Sequence, residues 1–165
     1  RWLSDWSSDV CSSDLDRLLL VDMGACLDGY ASDMTRMAHL GHPTAKATDL
    51  HAAVLEAQLA AIGIVHAGVE ARKVDEAARP SLKKRKLDRA FMHSTGHGLG
   101  LEIHEDPRIG RTSEETLEAG MVITIEPGAY LEGYGGVRIE DTILVTETGA
   151  EILTPTAKEL LVLAS

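Results

Sequence analysis

The Asp-Gly step at residues 28–29 constrains this chain more than any other feature. Leu18-Leu19-Leu20-Val21 leads toward it and Tyr30 to Arg36 follows, so apolar and β-branched residues flank a turn signal and read as a hairpin. With the turn centred between Leu27 and Asp28, Asp22 stands directly across from Asp33. Like charges opposed on paired strands, with side chains roughly 5 Å apart, destabilise a hairpin unless a cation lies between them. The stretch "DMGACLDGYASD" is therefore expected to supply half of a metal site.

A second acidic pair repeats this arrangement. Glu126 and Glu140 flank a loop containing Gly128, Gly133, Gly135 and Gly136. If that loop folds about Gly133, Glu126 opposes Glu140, and strand alternation points Glu140 the same way as Arg138 and Thr142. His97 lies between the pairs in sequence, in a glycine-rich stretch where backbone can approach an ion closely, and is the natural fifth ligand. Taken singly, each acid reads as a turn, cap or strand-end residue and His97 as a loop histidine. Together they form a set. Buried carboxylates without a cation would cost several kcal/mol each. Four carboxylates and one imidazole suit two divalent ions, Mn²⁺ first, with Co²⁺, Fe²⁺ or Zn²⁺ as alternatives. Ions about 3.5–4 Å apart can share a water and polarise a carbonyl, which is the chemistry of amide hydrolysis.

Composition limits the rival classes. The 165 residues carry a formal charge of −10, which argues against nucleic acid as a main partner, because phosphate binding needs a basic face. No run of about 18 apolar residues suggests a membrane span. Cys11 and Cys26 are too few for a disulfide framework and lack metal spacing, leaving the cytoplasm as the expected compartment.

Residues 1–15, "RWLSDWSSDVCSSDL", show neither helical nor strand periodicity. The string reads as a translated sequencing-adapter leader or as a Ser-rich disordered linker, and residues 16–165 as the catalytic domain. Pro43 opens a helical pattern in which Leu50, Val54, Leu55, Leu59, Ile62 and Val65 share a face, with Gly68 as its C-cap. A second helix is expected over 71–87, with Val74, Ala77, Ala78 and Leu82 inward and a kink or break at Pro80. Lys83 to Lys86 read as its solvated end, where cations suit the helix dipole. Leu99, Leu101 and Ile103 alternate as in a strand, and further strands are expected over 121–125 and on both sides of a turn at 147–149. Strands in hairpins with helices grouped together give an α+β fold.

With these residues assembled, the chain resembles the pita-bread metallopeptidases, which include methionine aminopeptidase, Xaa-Pro aminopeptidase and prolidase. The resemblance rests on "VDMGACLDGYASDMTR", "HSTGHGLGLEIHEDP", "GMVITIEPGAYL" and "GGVRIEDTILVT", and covers about residues 16–163. It implies a pita-bread fold, an antiparallel sheet with helices packed on one face, incomplete here on its N-terminal side. It implies that Asp22, Asp33, His97, Glu126 and Glu140 bind two metals, with Asp33 and Glu140 bridging both. His93 and His104 would face the substrate and stabilise its carbonyl oxygen. Glu126 would also move the proton from attacking water to leaving amine. Arg138 would orient a ligand carboxylate. "GGVRIED" and "EPGAY" resemble the proline-specific branch, which implies hydrolysis of the bond between an N-terminal residue and proline.

The implied partner is a peptide with proline at its second position; a homodimer is left open. The alternatives are a methionine aminopeptidase and a non-catalytic scaffold of the same fold, although scaffold relatives typically lose metal ligands. Family members carry further strands and helices before the "VDMG" strand that help to build the substrate pocket. The 165-residue chain is accordingly expected to be poorly stable and inactive by itself. Cooperative thermal unfolding of the purified chain together with normal peptide turnover would contradict this.

Overall fold

The computed structural model describes residues 18–164, so the leader or linker expected over 1–15 lies outside the described residues. The chain begins with strands β1 (Leu18–Leu27) and β2 (Tyr30–Leu40), joined as an antiparallel hairpin. Asp28 and Gly29 form the turn with φ of 52° and 91°, the double positive φ that suits a two-residue hairpin loop. The turn thus sits one residue later than the sequence reading has it, and its ladder pairs Asp22 with Thr35 and Gly24 with Asp33. The two aspartates are diagonal neighbours and not directly opposed. Moving a hairpin's centre by one whole residue shifts partners by two, so both acids stay on the same face.

Helix α1 (Ala45–Ile62) starts at Thr44, whose hydroxyl accepts the Ala47 N–H at 3.1 Å. It ends at Gly63, not Gly68, with the Gly63 N–H bonded to Leu59 O at 3.0 Å. Its buried face is set by Leu50, Ala53, Val54, Ala57 and Ala61, while Leu59 is half exposed. Small alanines allow α1 to approach its neighbours closely, and the leucine and isoleucine counted at the flank pack less deeply. Helix α2 (Ala71–Lys84) buries Val74, Ala78 and Leu82 against it. Each fully buried leucine of this kind contributes about 1.5–3 kcal/mol. Pro80 neither ends nor divides α2, because it lies on the exposed side, where a carbonyl lacking its partner can be solvated. Lys83 to Lys86 are exposed at the helix end.

The remaining strands are β3 (Gly96–Gly98), β4 (Glu105–Ile109), β5 (Val122–Ile125), β6 (Gly128–Leu131), β7 (Gly135–Arg138), β8 (Asp141–Val145), β9 (Ala150–Ile152) and β10 (Leu161–Leu163). Five of them form one sheet in the order β4-β3-β5-β8-β9. Strand β10 adds parallel to β2, a pairing not anticipated from the sequence. Leu99, Leu101 and Ile103 do not form a strand; they belong to an irregular loop after β3, with Leu99 buried and Leu101 exposed. Strand β3 is confined to three residues, with its glycines pressed against neighbouring backbone. A Cβ on Gly96 would collide with Thr124 O and one on Gly98 with Asp106 O.

The pair β6–β7 and the pair β5–β8 share one register, which matches Gly128 with Arg138 and Ile125 with Asp141. That register is centred on Gly133, so Glu126 and Glu140 meet where the two paired segments join. The core is shared by the two helices and the inner residues Ile109, Ile123, Ile125, Val137, Ile139 and Ile143. Among the described residues, no helix is long and apolar enough to cross a membrane.

A buried ion cluster fastens β8 to the rest. Asp141, fully buried, accepts from Arg36 Nη2 at 2.6 Å, Lys158 Nζ at 2.5 Å, Gln58 Nε2 at 2.7 Å and Thr154 Oγ1 at 3.1 Å. Burial pushes its carboxyl up, but the hydrogen bonds from Lys158, Arg36 and Gln58 outweigh this and hold it below the ordinary aspartate value. Asp141→Ala leaves two cations without a counter-ion, and its expected cost is about 3–5 kcal/mol in urea unfolding of the full-length protein. A loss within about 0.5 kcal/mol, the range of ordinary surface changes, would contradict this account of β8.

Candidate functional site

Strand alternation puts Asp22 on β1 and Asp33 on β2 on one face, and the join of the two ribbons brings Glu126 and Glu140 up to them. His97 comes from the middle of β3. Donor atoms of Asp33, His97 and Glu140 all lie within 4.8 Å of one another. His97 Nε2 is 3.2 Å from Glu126 Oε1. Arg138 reaches among the acids: its Nη2 pairs with Asp22 Oδ2, and its Nε lies 3.9 Å from Glu126 Oε2 and 4.0 Å from Glu140 Oε2. The five ligands expected from the sequence are thereby brought together, with Asp22 linked to the others through Arg138.

The donor chemistry fits divalent cations. His97 Nδ1 donates to Gly98 O at 2.9 Å, so the neutral ring turns its Nε2 lone pair toward the acids, while the protonated ring donates from Nε2 to Glu126. Burial, then repulsion from Glu126 and Asp33, pushes the Glu140 carboxyl up to about 8. Burial, then the charges of Asp22 and Glu126, pushes Asp33 up to about 6. Burial lowers His97, but its hydrogen bond to Glu126 and the nearby carboxylates outweigh that and raise it above the ordinary histidine value. Oxygen-rich, crowded and short of positive charge, the site is suited to a dication that displaces protons.

Beside the acids is a cleft of about 630 Å³ lined by His93, His97, His104, Glu126 and Arg138, among others. His93 Nδ1 bonds Ser94 O at 2.8 Å, while its buried Nε2 has no partner among the described residues. The His93 ring lies 5.6 Å from that of Tyr130 and 5.2 Å, edge-on, from that of Phe91. His104 is exposed, with its ring 4.4 Å from that of His97. Both histidines singled out in the sequence therefore stand at this cleft.

Of three threonines at the site, Thr35 and Thr124 were not singled out, and Thr142 was noted only as sharing the face of Glu140. Thr124 Oγ1 accepts the His97 N–H at 3.1 Å and donates to Glu126 Oε1 at 3.3 Å. Thr142 Oγ1 donates to Asp33 O at 2.7 Å, joining β8 to β2. The Thr35 hydroxyl lies 2.5 Å from Glu140 Oε2. Each threonine sits two residues from a site acid along a strand, so each shares its face. That spacing was the available signal. Tyr130, whose hydroxyl is 3.4 Å from Arg138 Nη1, carried no comparable signal.

Comparison with known proteins places the fold and the family. Residues 8–147 match the sequence profile of metallopeptidase family M24. A Xaa-Pro dipeptidase of Pyrococcus furiosus is 49% identical over 144 residues, which cover 87% of this chain and 41% of that protein. The crystal structure of an X-Pro aminopeptidase from Thermotoga maritima superposes with a TM-score of 0.87 at 38% identity, covering 90% of this chain and 42% of the other. A methionine aminopeptidase from Rickettsia prowazekii gives a TM-score of 0.71 at 27% identity, covering 83% of this chain and 64% of the other. The fold is thus that of the pita-bread peptidases, and the chain spans about two fifths of the length of the dipeptidase and the aminopeptidase acting before proline.

The raised carboxyls set a direction for pH dependence. Asp33 and Glu140 hold protons more tightly folded than unfolded, so their contribution to stability is greatest at low pH and declines between about pH 4 and 8 as they ionise. In chelator, Glu140→Gln should flatten the fall in melting temperature between about pH 5 and pH 8 and be the more stable protein at pH 8. An unchanged slope in calorimetric or fluorescence melts would contradict this.

Proposed function

The chain belongs to metallopeptidase family M24, and from that premise we propose that the protein hydrolyses the bond between an N-terminal residue and proline. The observation that carries this reading is the convergence of Asp33, His97 and Glu140 beside Glu126, Asp22 and Arg138 at a cleft edged by His93. Asp22, Asp33, His97, Glu126 and Glu140 would hold two divalent ions. When bound there, such ions supply Lewis acidity toward a carbonyl and lower the pKa of water. The oxygen-rich set favours Mn²⁺, with Co²⁺, Fe²⁺ and Zn²⁺ as alternatives.

The chain's own groups carry the rest of the proposal. Glu126 takes the proton of the attacking water and returns it to the departing amine. It accepts a hydrogen bond from Thr124 and so is aimed before substrate arrives. His93 gives its Nδ1 proton to Ser94 O, so Nε2 donates only from the protonated ring; it then stabilises charge developing on the carbonyl oxygen. His104 lines the same cleft and would contact the substrate beside His97. Arg138 bonds Asp22 and holds that carboxylate in place.

The proline branch is favoured by the relatives named dipeptidase and X-Pro aminopeptidase, which are more similar than the methionine aminopeptidase. Residues 16–165 are taken as part of the catalytic domain. Two cysteines in the whole sequence support the cytoplasm as the compartment, and a homodimer is the assembly to test first.

Full-length protein should cleave Ala-Pro and Ala-Pro-Ala in preference to Met-Ala-type peptides, lose this activity in excess chelator and regain it with Mn²⁺. Asp33→Asn and Glu140→Gln should each lower kcat/KM by about 100-fold or more. Undiminished turnover in chelator would overturn the metal reading, and preference for Met-Ala would overturn the proline assignment.

A further inference from the structure

Thr35 is fully buried on the site face of β2, directly across the ladder from Asp22. Its hydroxyl oxygen is 3.0 Å from Arg138 Nε and 2.5 Å from Glu140 Oε2. A guanidinium has no acceptor, so Arg138 must donate to the threonine oxygen. The single hydroxyl hydrogen is then left for Glu140 Oε2. Both bond directions follow from this. Glu140 Oε2 is an acceptor, and the rotation of its carboxylate is fixed by a partner other than an ion.

The backbone holds the threonine equally firmly. Thr35 O accepts from Glu140 N at 3.2 Å and from Arg36 Nη1 at 2.9 Å, and the same Nη1 donates to Glu140 O at 2.5 Å. Arg36 is itself anchored by Asp141 Oδ1 at 2.6 Å, Thr156 O at 2.9 Å and Thr154 O at 3.0 Å. Glu140 is therefore gripped by one residue at two places, main chain and carboxylate. A valine would fill the same volume and keep the main-chain bonds while losing only the hydroxyl.

We propose that Thr35 is the positioning residue of Glu140: its hydroxyl sets the orientation in which that carboxylate meets a divalent ion and ties it to Arg138. This rests on the dinuclear reading above and adds to it a residue that touches neither ion nor substrate. Removing one hydroxyl leaves the net charge of the site unchanged while releasing the Glu140 carboxylate from its partner.

The test titrates Mn²⁺ into full-length wild type, Thr35→Val and Thr35→Ser by calorimetry, with Mn²⁺ electron paramagnetic resonance and melting of the ion-free proteins alongside. Thr35→Val should bind Mn²⁺ about 10–100-fold more weakly, with an altered resonance spectrum, while Thr35→Ser, which keeps the hydroxyl, stays close to wild type. Wild-type affinity in Thr35→Val would overturn the proposal. So would equal weakening in both variants, which would trace the effect to lost methyl packing. If Thr35→Val is not recovered folded, Thr35→Ala makes the same comparison against Thr35→Ser. Wild type that binds no Mn²⁺, Co²⁺, Fe²⁺ or Zn²⁺ would remove the dinuclear reading itself, a result distinct from failure of the threonine alone.

Discussion

Four carboxylates converge on one cleft with a guanidinium reaching among them, and their mutual repulsion conditions everything built around them. Asp33 and Glu140 are raised toward neutrality by burial and by their acidic neighbours, which is how a protein relieves charge it cannot pair. Relief by protonation and relief by a dication compete for the same oxygens. The fold resists separating these groups. Thr142 ties Asp33 to β8, Thr124 ties Glu126 to His97, and Arg138 ties Asp22 to the ribbon that carries Glu140. Cooperation of this kind lets a site accept unfavourable charge in exchange for a ready ligand set.

The energy that holds the acids together comes from behind them. The chain entering β8 turns Glu140 toward the other site acids and Asp141, the first residue of the strand, toward the interior. Asp141 anchors the strand through Arg36, Lys158, Gln58 and Thr154, drawing on β2, α1 and the chain after β9. On the far side, α2 supplies a second anchor. Buried Asp75 forks onto Arg79 at 2.5 and 2.7 Å and receives the Thr95 hydroxyl at 2.9 Å, while Thr95 O accepts the Glu126 N–H at 2.7 Å. Each glutamate of the site is thus secured by a buried aspartate a short distance along the hydrogen-bond network.

Much of this was legible in the residues. Glu126 and Glu140 about Gly133 gave their own register, because a glycine-rich loop between two acids leaves few ways to close an antiparallel ribbon. The first hairpin was legible in its faces and not in its partners. Asp28 tolerates positive φ, so the turn took Asp28-Gly29 and moved each pairing by two. Leu99 to Ile103 misled because alternation is a local pattern, whereas those residues bridge β3 to β4 and bond the hairpin through Ala31 N and Gly100 O. Helix α1 was found with Leu50 and Val54 on its buried face, but Leu59 is half exposed and the alanines that occupy the tightest contacts were missed, because they carry little hydrophobic weight. The short strand Leu161–Leu163 gave no signal, since it exists by pairing with β2. Thr35, Thr124 and Thr142 were visible only as spacing, and their meaning depends on bonds that cross more than 25 residues of chain.

The most direct test of the central claim is an anomalous-scattering map, at the manganese edge, of crystals of the full-length protein grown with Mn²⁺. The account predicts two peaks about 3.5–4 Å apart, enclosed by Asp22, Asp33, His97, Glu126 and Glu140. A map with no peak in that cleft, or with manganese only on outlying surface carboxylates, would contradict it.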